Sequence, residues 1–169
     1  MEAIQAIMTR RSIRRYTKEA VTDEQVETLL KAAMAAPSAA NKQPWHFVVV
    51  RDQALREAFT GFHPHSAMLR EAPVGILICG DTELELAGGY WVQDCSAATE
   101  NLLIAANAIG LGAVWLGITP RPDRVAETKA LFGLPGNVIP LGMISIGHPA
   151  EEKEPGERYQ AERVHRDRR

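Results

Sequence analysis

Apolar residues recur at helical spacing over residues 2–10, where Ile4, Ile7 and Met8 predict a first short amphipathic helix. Thr22, with Gln25 three positions on, has the form of a capping box. It opens a second helix with the apolar stripe Val26, Leu29, Leu30, Ala33 and Met34, ended by Pro37. Residues 45–51 are β-branched and aromatic and predict a strand, after which Asp52 caps a helix with Leu55, Ala58 and Phe59 inward. A helical turn around Met68 and Leu69 leads into Pro73–Cys79, a continuous apolar run of the kind buried on both faces of a sheet. Residues 89–109 form the longest predicted helix, stopped by Gly110. Its second half, Leu102–Ala106, is apolar nearly all round, which places it in the core or at a subunit interface. A strand over Ala113–Ile118, a helix over 122–132 between Pro122 and Gly133, and a last strand over Val138–Gly147 complete the pattern. Helices and strands alternate unevenly, so the expected fold is α+β, a mixed central β-sheet flanked by helices.

The 169 residues, 46% hydrophobic and 24% charged, suffice for one compact domain over 1–169. Residues 149–169 read as a charged C-terminal extension with few core candidates. A net charge of −2 supplies no global field for nucleic acid, so no nucleic-acid partner is expected. Cys79 and Cys95 sit in apolar or helical surroundings without metal-like spacing and read as core thiols in a reducing compartment. With no cleavable signal and no apolar stretch long enough for a bilayer, the expectation is a cytoplasmic protein without membrane attachment.

The chemistry concentrates near the N-terminus. Arg10-Arg11-Ser12-Ile13-Arg14 packs three guanidinium groups and a hydroxyl into five residues where a helix meets a loop. Guanidinium presents a planar fork of donors that grips phosphate oxygens and stays charged at any working pH. Taken alone, a cluster such as Arg10, Arg11, Arg14 and Arg15 is usually a solvated helix end, where cations favour the C-terminal dipole. Pro37-Ser38-Ala39-Ala40-Asn41-Lys42-Gln43-Pro44-Trp45 is a turn-rich polar loop suited to the edge of a flat polar ring. Asn41 offers both donor and acceptor there, or else serves as a left-handed turn residue. No GxGxxG follows a strand, which disfavours a dinucleotide in a Rossmann cradle and fits FMN better than FAD. His63 and His65 share a loop without a carboxylate or thiol to finish a metal site, and no serine has a nucleophile-elbow context.

These segments together resemble the FMN-dependent nitroreductase family. Arg10-Arg11-Ser12 with Arg14, Pro37-Ser38 with Asn41, and Gln43-Pro44-Trp45-His46-Phe47 carry the likeness. It continues through Gly110–Gly117 and ends at Gly147-His148-Pro149. The resemblance implies a homodimer whose C-terminal tail wraps the partner. Arg10, Arg11, Ser12 and Arg14 would line the FMN phosphate. Pro37, Ser38, Ala39 and Asn41 would meet the flavin edge from the other subunit. Trp115, Leu116 and Gly117 would face the ring with backbone groups, an amide lying near the reactive N5. Arg158 matches one of a cationic pair that the family brings back to the phosphate. Gly156 stands where the other would be, a departure that predicts a weaker grip or a compensating Arg nearby.

The implied activity is ping-pong hydride transfer from NADH or NADPH through FMN to a small electrophilic acceptor such as a nitroaromatic or quinone. It requires no catalytic side chain and no metal. The alternatives are a non-catalytic flavin-binding redox sensor, or a specialised activity such as flavin cleavage or dehalogenation.

Overall fold

The computed structural model describes residues 1–169. Strands β1 (Trp45–Val50), β2 (Val74–Asp81), β3 (Gly112–Gly117) and β4 (Val138–Gly147) form one sheet in the order β1-β2-β4-β3. Helices α1 (Ala3–Thr9), α2 (Asp23–Met34), α3 (Gln53–Phe62), α4 (Tyr90–Ala108) and α5 (Pro122–Phe132) surround it. All neighbouring strands are antiparallel, so the sheet is not mixed as the element alternation suggested. β2 and β3 do run in the same direction, joined by α4. However, β4 returns between them, and the two parallel strands never pair. A single bridge between Ser12 and Ala113 is the parallel contact that remains.

The apolar run of β2 is buried at every position, and its side chains alternate between two layers. Ile76 and Ile78, with Ile144 and Ile146 of β4, pack with Val26, Leu29 and Ala33 of α2 and Ala98 and Leu102 of α4. Leu77, Cys79 and Met143 face the opposite layer, where Phe59 of α3 meets Val114 and Leu116 of β3 and Val125 of α5 packs against the cluster. The sheet is thus the middle of three layers, and strand alternation divides its side chains between two cores.

Local signals act as expected at several ends. The Thr22 hydroxyl accepts from the Gln25 amide at 3.2 Å, and the Gln25 side chain accepts from the Thr22 amide at 2.9 Å. Asp52 accepts from the Leu55 amide at 3.1 Å, and Gly110 and Gly133 take left-handed φ of 81° and 62°. Elsewhere the stripes are rotated. α2 stops at Met34, three residues before Pro37, and Met34 itself is exposed. On α3 it is Arg56, not Ala58, that turns inward. Its guanidinium donates to the carbonyls of Leu69 and Ala72 and ties the turn at 67–70 to the helix. The apolar face of α1 points out, with Ile4 72%, Ile7 49% and Met8 65% exposed, while Ala6 is the residue it buries. Every residue from 152 to 169 is exposed.

The core also dictates where a side chain is not tolerated. Gly80 lies directly beneath the Trp91 indole, and an added Cβ would overlap it. Gly80→Ala is expected to cost about 1–3 kcal/mol through overpacking, read as a lower urea-unfolding midpoint with unchanged slope. An unchanged midpoint would mean that Trp91 swings aside freely.

Candidate functional site

β3 is an edge strand, and its ladder decides what it offers to a ligand. The Ile118 amide donates to the Leu141 carbonyl at 3.0 Å, so Ile118 belongs to the class of residues bonded to β4. By antiparallel alternation, the N–H and C=O of Gly117, opposite Gly142, face away from β4 and off the sheet edge. Ala113 belongs to the same outward class, and its carbonyl accepts from the Ile13 amide at 3.0 Å. Trp115 shares this class, and its indole covers Gly142, where a Cβ would find no room. Leu116 points into the core around Phe59 and Met143. Gly117 is exposed, with open space where a side chain would stand.

The Gly117 carbonyl is taken by two groups from other elements. His63, at the C-terminal end of α3, places Nε2 3.0 Å from it, and Arg124 of α5 donates from Nη1 at 3.0 Å. The His63 ring is buried and stacks on Phe59 with centroids 5.3 Å apart. Burial holds this imidazole below its ordinary value, and the nearby charge of Arg124 acts in the same direction.

At the other end of β3, the segment that follows α1 borders a cavity of about 380 Å³ lined by Arg10, Arg11, Ile13, Leu103, Asn107 and Lys153 among others. Arg11 spends Nε on the Glu154 carbonyl at 3.0 Å and Nη1 on the carbonyls of Met8 and Arg10. Its Nη2 is buried without a partner. Arg10 pairs with Glu100 at 3.2 Å. Ser12 and Arg14 adjoin this cavity in sequence but do not line it. The Arg14 amide donates to Glu151 at 2.6 Å, leaving its guanidinium outward and exposed. Lys153 donates to the Ser12 carbonyl at 2.6 Å and pairs with Glu151 at 3.2 Å. Glu152 and Glu154 share the rim.

The Pro37–Asn41 loop borders a separate recess of about 290 Å³, lined by Pro37, Ser38 and Ala39 against Tyr90, Gln93 and Asp94 of α4. Asp94 is buried. One of its oxygens accepts from the Ala39 amide at 2.9 Å, and the other, Oδ2, has no partner. The Ser38 hydroxyl accepts from the Gln43 amide at 2.9 Å, and the Asn41 side chain accepts from Gln43 Nε2 at 3.1 Å. Ala40, Asn41 and Gln43 all hold left-handed φ, between 49° and 55°. Asn41 is therefore a left-handed turn residue whose amide nitrogen is still free to donate. Three non-glycine residues in that region within four positions store strain in the loop.

The fold does not gather the sequence-predicted residues into one pocket of one chain. The arginine cavity and the loop recess share no lining residue, and Gly117 belongs to neither. Arg158 is exposed, and the lining of the arginine cavity ends at Pro155. The roles of four residues escaped the sequence reading. Lys153 sits among acidic neighbours, and the departure at Gly156 pointed to a weaker grip or an arginine, not to a lysine. Asp94 and Arg124 look like surface charges of helices, and His63 like a loop histidine. Cys79 and Cys95 are free and buried, their thiols pushed up to about 12 by burial.

Residues 7–68 and 61–148 match the family model described as the nitroreductase family. A protein of Methanothermobacter thermautotrophicus, a candidate NADH dehydrogenase/NAD(P)H nitroreductase by name, is 46% identical over 165 residues, covering 98% of this chain and 86% of its own. A crystal structure under the same name from Bacteroides thetaiotaomicron superposes with a TM-score of 0.95 at 37% identity, over 99% of this chain and 98% of that one. The structure of a candidate nitroreductase from Desulfovibrio desulfuricans, in complex with FMN, superposes with a TM-score of 0.87 at 35% identity, over 99% and 98% of the two chains.

The His63 environment sets a pH dependence with a definite sign. Its imidazole titrates below the ordinary 6.5 in the folded chain, so the unfolded chain binds more protons as pH falls through that value. The stability it confers is complete above that range and declines below it. The urea midpoint is expected to fall further in the wild type than in His63→Gln between about pH 7.5 and pH 5.5. Parallel declines would assign the effect to other groups.

Proposed function

The chain belongs to the nitroreductase family, and from that membership we propose that it is an FMN-dependent NAD(P)H oxidoreductase working as a homodimer. The observation that carries the cofactor reading is Arg11 Nη2, a buried guanidinium nitrogen without a partner, lining a cavity beside Arg10 and Lys153. A buried cationic donor with no acceptor fits a phosphate oxygen. In this reading Arg10, Arg11, Ser12 and Arg14 hold the phosphate, with Arg158 approaching from the tail. Lys153 supplies the cation that Gly156 does not, and its place against the Ser12 carbonyl supports this. Pro37, Ser38, Ala39 and Asn41 serve the pyrimidine edge. The outward Gly117 amide, flanked by Trp115 and Leu116, serves the ring near N5.

When bound, FMN would supply the redox chemistry, a two-electron hydride transfer through its N5. The chain's own groups position and polarise. Amides directed off the edge of β3 and guanidinium groups near the phosphate oppose the negative charge that builds during reduction. NADH or NADPH and then an electrophilic acceptor, such as a nitroaromatic or quinone, take turns at one open face in a ping-pong cycle. No side chain is required as acid or nucleophile. We place the enzyme, one domain over 1–169, in the cytoplasm, and no helix is long and apolar enough to cross a membrane.

Two features support a second chain. The arginine cavity and the loop recess are distinct within one chain, so a ligand touching both sets draws one from each subunit. The outward Ile4, Ile7 and Met8 and the exposed tail are the surfaces that such an interface would cover.

The purified protein is expected to be yellow and to release FMN on denaturation; release of FAD, or failure to take up FMN, would refute the cofactor assignment. Arg14→Ala should weaken FMN binding by about 1.5–3 kcal/mol, the worth of a charge-assisted hydrogen bond, and leave riboflavin binding nearly unchanged. Equal losses for both ligands would show that Arg14 acts through folding. The holoprotein should sediment as a dimer, and truncation after His148 should reduce both dimer stability and flavin retention. A monomer with FMN fully bound would exclude shared sites.

A further inference from the structure

We propose that His63 and Arg124 are a positioning pair that clamps the Gly117 carbonyl and thereby fixes the outward aim of the Gly117 amide. The proposal rests on the reading that this amide faces the flavin ring, and it assigns the residues that hold it there.

Gly117 needs holding. It ends an edge strand, it has no side chain, and nothing lies within 4 Å of the place where a Cβ would be. A glycine so placed has the widest choice of backbone conformations of any residue. The peptide that follows it is nonetheless pinned at both ends. Its N–H, on Ile118, donates to the Leu141 carbonyl at 3.0 Å, and its oxygen, on Gly117, meets His63 Nε2 and Arg124 Nη1, each at 3.0 Å. A carbonyl oxygen has two lone pairs, and two donors fill them. With that peptide plane fixed, the preceding amide is aimed off the edge.

The chemistry of the two donors is complementary. Arg124 carries a permanent charge from the first turn of α5. His63 must carry its proton on Nε2 to donate, which leaves Nδ1 as the acceptor, and that nitrogen is buried without a partner. The 3.4 Å approach of Arg124 Nη1 to Nε2 is then the meeting of two donors on one oxygen. A leucine or phenylalanine at 63 would fill the space against Phe59 with no unpaired ring nitrogen. The hydrogen bond to Gly117 is what the imidazole adds, and it joins the ends of α3 and α5 at the last residue of β3.

The test uses the full-length protein with Arg124→Ala, Arg124→Lys and His63→Gln, the arginine variants guarding against misfolding at the buried position. In the apoprotein, Arg124→Ala should move the Gly117 carbonyl-carbon resonance, with Arg124→Lys and His63→Gln intermediate. In FMN-loaded protein, Arg124→Ala should alter the visible flavin spectrum and slow flavin reduction by NADPH or NADH about tenfold, as expected for a displaced reacting partner. FMN affinity should change little, and Arg124→Lys should recover part of the rate. An unmoved Gly117 resonance in Arg124→Ala, or an unchanged reduction rate in a loaded variant, would overturn the clamp. If wild-type protein takes up no FMN, the functional reading fails, and the apoprotein resonance still decides whether the clamp exists.

Discussion

The position of β4, between β2 and β3, is the constraint on which the rest of the molecule depends. β2 and β3 are joined by α4 and run in the same direction, so a simple crossover would pair them directly. With β4 inserted, β3 becomes an edge with one hydrogen-bonded side, while β2 is a central strand buried on both faces. An edge strand presents a row of unpaired backbone groups, which proteins usually cover. Here the N-terminal segment covers one end of the row through Ile13 and Ala113, while His63 and Arg124 occupy the carbonyl at the other. The backbone groups of Trp115 and the Gly117 amide remain facing outward.

The same edge organises the cationic segment. Residues 12–17 run alongside β3 and the chain beyond β4, held almost entirely through backbone. Ile13 donates to Ala113, Arg14 to Glu151, and Thr17 to His148, while Ala150 donates back to Arg15. The buried Tyr16 hydroxyl lies against the carbonyls of Ile13 and Ser145. Each such bond is worth only about 1 kcal/mol net, but together they fix the main chain without using the Arg14 side chain. A segment anchored by its backbone can leave its charges facing outward, as an anion site requires.

Three of the buried polar groups each hold a backbone segment that the packing of apolar side chains does not reach. Arg56 gathers the Leu69 and Ala72 carbonyls, Asp94 holds the Ala39 amide in the strained loop after α2, and His63 holds Gly117. Burying such groups is unfavourable unless they are hydrogen-bonded, so they mark places where backbone position matters. Two of the three support segments assigned to the cofactor.

Taken alone, the sequence specified the elements and their chemistry, because these depend on nearest neighbours along the chain. The Thr22–Gln25 box, the Asp52 cap, the glycine stops at 110 and 133 and the doubly buried run at β2 are all short-range patterns. The arginine segment and the Pro37–Asn41 loop were equally visible as local groupings of donors. Strand order, and with it the antiparallel sheet, was not legible, since nothing in the sequence of β4 says which strands it will separate. The outward turn of Ile4, Ile7 and Met8 and the inward turn of Arg56 also depended on distant partners, because periodicity marks a face without saying what it will meet. Lys153, Asp94 and His63 were ordinary polar residues until folding brought each to a backbone group tens of residues away, and Arg124 until α5 turned it back onto the end of β3. Only the tertiary structure could decide those roles, because a hydrogen bond between distant segments exists only once the core has placed them together.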